Sequence, residues 1–223
     1  MNILAIDTSS KNLNIAFNLN GEVKGVFLKD CQLTHSEILM KTLDGLILEN
    51  NFSLKDFDCF GCCVGPGSFT GIRIGVTTLR AFAQIFDKPV FSVNSCELQA
   101  YNECSKNHII SCIDAMQNKV YYAVYKSGKV ILEPSLAELK DVGKIAAKYK
   151  GIIISDVEIS GLKTLSPQSL NFKLGKLSAE KAGKNRTFSY KELQPLYVRL
   201  SSAEEKANFT PLWNENSNER GDI

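Results

Sequence analysis

Seven consecutive residues, Gly65-Pro66-Gly67-Ser68-Phe69-Thr70-Gly71, restrict the fold of this chain more than any other segment. Three glycines and a proline hold the backbone in a turn that most side chains exclude. The turn follows an apolar run, Phe60 to Val64, and leads directly into helical periodicity that reaches Phe86. Ser68 or Thr70 is placed to cap that helix. A strand, a glycine-rich loop and a helix N-terminus in this order aim unpaired N–H groups and the positive end of the helix dipole at one point. Such an arrangement receives an anion, or serves only as a strand-to-helix turn. Gly65, Gly67, Ser68, Thr70 and Gly71 are therefore candidate anion- or nucleotide-binding residues.

The surrounding sequence supplies a frame for that loop. Residues 2–7 are apolar and end in Asp7; residues 12–19 and 22–28 alternate apolar with polar and meet at Asn20-Gly21, a pair that favours a type I′ hairpin. The pattern predicts three antiparallel strands, then a helix over 36–50 with Thr34 as its cap. A strand at 59–64, the helix to Phe86, a strand at 89–93 and a helix from Asn94 or Ser95 follow. A similar series restarts with the apolar residues 109–113, ends in Asp114, and continues through 118–126 and 129–132. This echo predicts a duplicated unit and two α/β lobes, residues 1–104 and 105–204, the second a reduced copy. Its later part holds a strand at 151–154, a less regular stretch to about 185, and strand-like residues at 193–200. Residues 205–223 form a polar tail, expected to be disordered.

Charge and cysteine content narrow the function classes. A net charge of +2 gives no global attraction to nucleic acid or membrane. No apolar run approaches the roughly 20 residues that span a bilayer, and MNILAIDTSS carries no basic leader, so a cytoplasmic protein is expected. Seven cysteines, an odd number set within apolar runs, fit reduced thiols. Cys59-Phe60-Gly61-Cys62-Cys63 reads as half a zinc site or as buried core, and no second pair follows it.

Asp7, with Thr8 and Ser9, stands where a strand passes into a hairpin. The position suits a carboxylate that binds a metal or a metal-bound phosphate, and equally an Asx-turn. Asp114 has the same alternatives. Arg73 and Arg80, seven residues apart on one helix face, are placed to meet a phosphate, a partner carboxylate or solvent. His35 and His108 are the only histidines, and His35 reads as a cap, a packing residue or a base. The sequence contains no HExxH, no GxxxxGK[ST] and no dinucleotide fingerprint.

The opening strand with Asp-Thr, HSEILMKTLDGLI, VGPGSFTGIRIGVTTLRAFA and the late PLYVR together resemble the TsaB (formerly YeaZ) family, well over residues 1–126 and again at 193–204. The resemblance implies a two-lobed actin/Hsp70/sugar-kinase-like (ASKHA) α/β fold with a reduced second lobe. It implies a non-catalytic dimerisation subunit that supports TsaD, together with TsaE, in placing threonylcarbamoyl on tRNA adenosine 37. TsaD carries an HxxxH pair on the helix where this chain has Ser95 and Gln99, and a hydroxyl and an amide hold a metal poorly. The resemblance therefore implies no catalytic residue, no metal and no cofactor required by this chain, with ATP or ADP at a TsaD interface. A homodimer in the absence of TsaD, and tRNA contact only through the complex, follow from it too. The contact surface, to TsaD or to a second copy, is implied on the helices 36–50 and 71–86, through His35, Leu39, Leu43, Arg73, Thr77 and Arg80. Met116 stands where the family commonly has arginine, and the second lobe lacks a glycine-rich nucleotide turn. An ATP-dependent phosphotransferase or ATPase using Asp7, the glycine loop and Asp114 is the alternative, and a metallopeptidase a third reading.

Overall fold

The computed structural model describes residues 1–31, 35–101, 107–165, 170–184 and 186–199. Strand β1 (Asn2–Asp7) lies at the centre of the first sheet. Strand β2 (Leu13–Leu19) pairs with it antiparallel and β3 (Glu22–Leu28) pairs antiparallel with β2, while β4 (Cys59–Gly65) and β5 (Val90–Asn94) add in parallel on the other side. The order is β3-β2-β1-β4-β5. In the second sheet β6 (Ile109–Asp114) takes the central place. It has β7 (Lys119–Lys126) and β8 (Lys129–Glu138) antiparallel on one side, and β9 (Ile152–Ser155) and β10 (Thr164–Leu165) parallel on the other. The two sheets thus repeat one topology, and Asp7 and Asp114 end equivalent strands. The first hairpin turns as its sequence requires, with Asn20 at φ 51° and Gly21 at φ 97°.

Parallel neighbours need a crossover element, and in the first lobe α2 (Phe69–Phe86) supplies it between β4 and β5. Together with α1 (His35–Glu49) it covers one sheet face, burying Leu39, Leu43, Ile72, Val76, Leu79 and Ala83 against Leu4, Ile6, Phe17 and Phe60. Phe17, Phe57, Phe60 and Phe82 form a chain of ring contacts through this core, with centroids 5.0 to 6.3 Å apart. The opposite face packs against α3 (Ser95–Ala100) and α5 (Leu170–Gly183), with Leu98, Leu174 and Leu177 on Ile3, Ala5, Phe91 and Val93. Helix α4 (Val142–Tyr149) covers the second sheet over Ile110, Val124 and Ile153.

Three expectations change. The stretch to 185 is not irregular throughout: α5 occupies Leu170–Gly183 of it, and packs on β1, β2 and β3 rather than on the second sheet. Residues 105–204 are therefore not one lobe; the second lobe ends near Leu165, and the chain then returns to the first. The apolar stripe of α5 is hard to read because Lys173 lies buried in it, its Nζ donating to the Gln99 carbonyl at 3.0 Å. Gly175 lies there as well, packed on Val23 of β3. Helix α4, at eight residues, is too short to show its period. Residues 193–199 form no strand: Pro195 removes a donor, and the backbone bonds are isolated ones, Leu193 N–H to the Tyr190 carbonyl at 3.2 Å and Leu196 N–H to the Val64 carbonyl at 2.8 Å. Thr34, Cys104, residues 201–204 and the polar tail lie outside the described residues.

Candidate functional site

The C-terminal ends of β1 and β4 bring the candidate residues of the first lobe together. Ser68 caps α2, its Oγ accepting from the Gly71 N–H at 3.2 Å; Thr70 lies inside the helix. The Ser68 N–H donates to the Ser9 carbonyl at 2.7 Å, and Thr8 Oγ1 donates to the Gly71 carbonyl at 2.7 Å. The absence of side chains at Gly67 and Gly71 is used by these same residues. A Cβ at Gly67 would stand 2.1 Å from the Ser9 carbonyl oxygen, and one at Gly71 2.0 Å from that of Thr8. The glycines thus admit the β1–β2 turn against the helix, and the N–H of Ser68 is already bonded. This geometry fits a packed strand-to-helix turn better than an open phosphate cradle. The Gly65–Pro66 peptide within it is cis.

Behind the turn runs a buried chain of small polar groups. Ser9 donates both its N–H, at 2.8 Å, and its hydroxyl, at 2.6 Å, to Asp7 Oδ1. Ser95 Oγ donates to Ser9 Oγ at 3.0 Å, and Cys63 Sγ lies 3.2 Å from Ser95 Oγ. Burial pushes the Cys63 thiol well up, with the Asp7 charge adding to it, so the thiol stays protonated. The protons then order in one direction, from sulfur through two hydroxyls to the carboxylate. Cys59, Cys62 and Cys63 do not form half a zinc site. They are all buried, and Cys62 packs in the core under α1 and α2, while Cys59 packs on the opposite face. Their thiols are raised by burial, Cys59 to about 12, which makes them poor ligands.

Asn14 faces Asp7 directly across the β1–β2 ladder. It is 1% exposed, and neither amide atom has a hydrogen-bond partner. A buried amide in that condition asks for a ligand or water. Sequence reading passes over this residue, since an asparagine in an alternating strand looks like a surface position.

In the second lobe Asp114 accepts from the Met116 N–H at 2.8 Å, and its own N–H donates to Asp156 Oδ1 at 3.0 Å. Asp156 follows β9 directly as an exposed residue, yet its carboxyl accepts from the Asp114 backbone N–H. Loss of solvation there, with the Asp114 charge beside it, raises its pKa to about 6; Lys11 of the first lobe acts in the opposite direction. Among the described residues no group of three His, Cys, Asp or Glu side chains is placed to hold a metal.

The helices expected to meet a partner divide sharply. Arg73, Thr77 and Arg80 all lie on the exposed face of α2. His35, Leu39 and Leu43 do not reach the surface: each is 1% exposed or less, turned into this chain's own core. They are corrected from contact residues to supports of α1. The exposed large apolar residues of α1 and α2 are instead Met40, Leu48 and Ile85, with Leu48 and Ile85 exposed by 75% and 71%. His35 has both ring nitrogens buried without partners, and burial lowers its pKa; it begins α1 as a packing residue. His108 lies against Tyr149, ring centroids 5.8 Å apart. Arg73 is already engaged, its Nε donating to Tyr197 Oη at 2.8 Å. The ring of Tyr197 stacks on Phe69 with centroids 4.8 Å apart. Only the apolar PLYVR block, standing in a polar neighbourhood, marks Tyr197 in the sequence.

The sequence profile described as "TsaD: tRNA N6-adenosine threonylcarbamoyltransferase" matches residues 12–190. The protein "tRNA threonylcarbamoyladenosine biosynthesis protein TsaB" of Bacillus subtilis (strain 168) is 34% identical over 134 residues, 60% of this chain and 58% of that protein. The protein of the same name from Escherichia coli (strain K12) is 30% identical over 129 residues, 56% of this chain and 55% of that one. The matched part thus spans little more than half the length of these curated relatives. Among solved structures, YeaZ from Pseudomonas aeruginosa superimposes with a TM-score of 0.71 at 23% identity, covering 88% of this chain and 99% of that one. A Pseudomonas aeruginosa protein described as similar to peptidase YEAZ gives 0.73 at 21%, covering 89% and 99%.

Proposed function

Because the chain belongs to the family described as TsaD, tRNA N6-adenosine threonylcarbamoyltransferase, and its curated relatives are named TsaB, we propose that it is a non-catalytic subunit in tRNA threonylcarbamoyladenosine synthesis. In this reading it binds and supports a TsaD-type transferase, together with TsaE, in the cytoplasm. It pairs with itself when that partner is absent, and meets tRNA only through the complex. Nucleotide, where it enters, lodges at the interface with the transferase.

The observation that carries this reading is the use made of Ser95 and Gln99. They stand one helical turn apart on α3, where the resemblance puts the metal-binding histidines of TsaD. Both are buried and already occupied: Ser95 joins the chain from Cys63 to Ser9 and Asp7, and Gln99 Oε1 accepts the Ser111 hydroxyl at 2.5 Å. Where a metal centre would be, this chain has a polar tie between its lobes. The docking surface is the exposed side of α1 and α2, with Arg73, Thr77 and Arg80 beside Met40, Leu48 and Ile85. An interface of about 800 Å² per partner is normal for a stable complex.

Co-elution of the purified chain with its cognate TsaD-type transferase tests the proposal, with the tRNA modification level in cells carrying Arg80→Glu as the second measurement. Co-elution and a fall in modification support it. A chain that elutes alone, with modification unchanged in the variant, overturns it.

Unpartnered Asn14 opposite Asp7 favours a second reading, an ATP-dependent phosphotransferase or ATPase of the same fold. The filled glycine loop weighs against it. Calorimetry with Mg-ATP on the isolated chain separates the two, since micromolar binding with turnover would replace the scaffold reading.

A further inference from the structure

We infer that residues 193–199 are a clasp that fixes the two lobes relative to each other, hooking the glycine-loop helix of the first lobe to a left-handed turn of the second. The segment crosses from one lobe to the other within seven residues. Leu193 is buried in the first-lobe core, and the Leu196 N–H bonds the Val64 carbonyl just ahead of the glycine loop. Tyr197 then stacks on Phe69 in the first turn of α2 and takes the Arg73 bond; the guanidinium lies 5.6 Å from its ring centroid. Val198 packs into the second-lobe cluster of Ile109, Ile113, Tyr121 and Ile154. Arg199 Nη1 donates to the Ala115 carbonyl at 2.8 Å.

The far end of the clasp is a strained element. Met116, Gln117 and Asn118 follow one another in the left-handed region, at φ 61°, 54° and 59°. Side chains rarely adopt this conformation, and it persists only where the surroundings over-determine it. Internal bonds hold part of it: Ala115 N–H to the Lys119 carbonyl at 3.0 Å, and Lys119 N–H to that of Met116 at 3.1 Å. The Leu139 N–H, just past β8, donates to the Asn118 carbonyl at 2.8 Å, and Arg199 adds a restraint from a distant part of the chain.

Helix α3 is another tie among the described residues, with Cys96 and Ala100 packed in the same second-lobe cluster as Val198. One tie alone would leave the lobes a hinge. The second, reaching the strained turn, removes that freedom, and it runs through Arg73 on the exposed face of α2. The clasp consists of contacts within this chain, and none of them requires a partner.

Hydrogen exchange on the full chain carrying Tyr197→Ala tests the clasp. The ring stacking and hydroxyl bond of Tyr197 lie in the first lobe. A clasp nevertheless transmits their loss to the second, and exchange at the Ala115 and Lys119 amides should rise roughly tenfold, while the central-strand amides of Ala5 and Ile110 stay within about twofold. Acceleration confined to the Leu196 amide, or equal acceleration at all these positions, overturns the inference. If Tyr197→Ala loses its cooperative melt, Tyr197→Phe, lacking only the hydroxyl, replaces it. A rise of about threefold at the same two second-lobe amides then supports the clasp, and no rise there overturns it.

Discussion

Gly71 lies so close to Thr8 that a Cβ on the glycine would stand 2.0 Å from the threonine's carbonyl oxygen, while Thr8 Oγ1 bonds the Gly71 carbonyl at 2.7 Å. The first turn of α2 and the end of β1 are thus in backbone contact. Gly71→Ala must push them apart, and the neighbour is backbone, which cannot rotate away. A loss of about 1–3 kcal/mol is expected, read from the denaturant midpoint. Thr8→Val, which removes only the hydroxyl bond, should cost about 1 kcal/mol. A neutral Gly71→Ala would show that the loop has room for a ligand after all.

Asp156 gives the chain a pH dependence opposite in sign to that of most acidic groups. Its folded value of about 6 lies above the ordinary 3.8, chiefly through lost solvation. Its contribution to stability is therefore complete below pH 3.8 and is lost as pH rises through 6. Solvent at the exposed side of the residue trims the effect, to about 1 kcal/mol or less. Asp156→Asn keeps an oxygen for the Asp114 N–H and removes the charge. It should match the wild type at pH 4 and be the more stable of the two at pH 7.5. Equal stability differences at both pH values would remove Asp156 as the cause.

How much of this was legible beforehand depended on whether a residue's role was local. Asn20-Gly21, the glycine loop and the Asp-terminated strands β1 and β6 declare themselves because turn chemistry and alternation act over a few neighbours. The two-lobed repeat followed from them. The α5 stripe did not, because buried Lys173 and Gly175 interrupt it and are explained only by Gln99 and Val23 far away in the chain. The same limit applies at the site. The exposure of Arg73 and Arg80 is readable from helical phase, while Thr77 enters only through the family resemblance. The resemblance implies His35, Leu39 and Leu43 as contact residues, yet all three are buried in this chain's own core. Asn14 and Tyr197 gain meaning only from partners across a ladder or across lobes.

His35 is buried with neither ring nitrogen bonded, and the nearby Asn12 backbone falls short of hydrogen-bonding geometry. Burial holds its pKa below the ordinary 6.5, with the Asn12 backbone and the Asp7 charge acting the other way. The stability tied to the neutral ring is present above pH 6.5 and lost as pH falls through the lower folded value. His35→Leu removes two unpartnered polar atoms from the core. It should leave stability within about 1 kcal/mol at pH 7.5 and surpass the wild type at pH 5. Thermal melts at the two pH values check this; a variant equally destabilised at both would show that the imidazole has a bonded role.

Leu48 and Ile85 stand in the last turns of α1 and α2 and expose 75% and 71% of their surface. In the chain alone they pack little, so Leu48→Asp and Ile85→Asp should change its stability by no more than about 0.5 kcal/mol. If this end of the helix pair is covered by a transferase or a second copy, each substitution puts a charge into a desolvated interface and should weaken association at least about tenfold. Analytical ultracentrifugation of the chain alone and titration against the transferase read the two partners separately. A loss in one titration and not the other would assign the surface to that partner. Unchanged association in both would move the interface off these helices, leaving the fold and the packed glycine turn as they are.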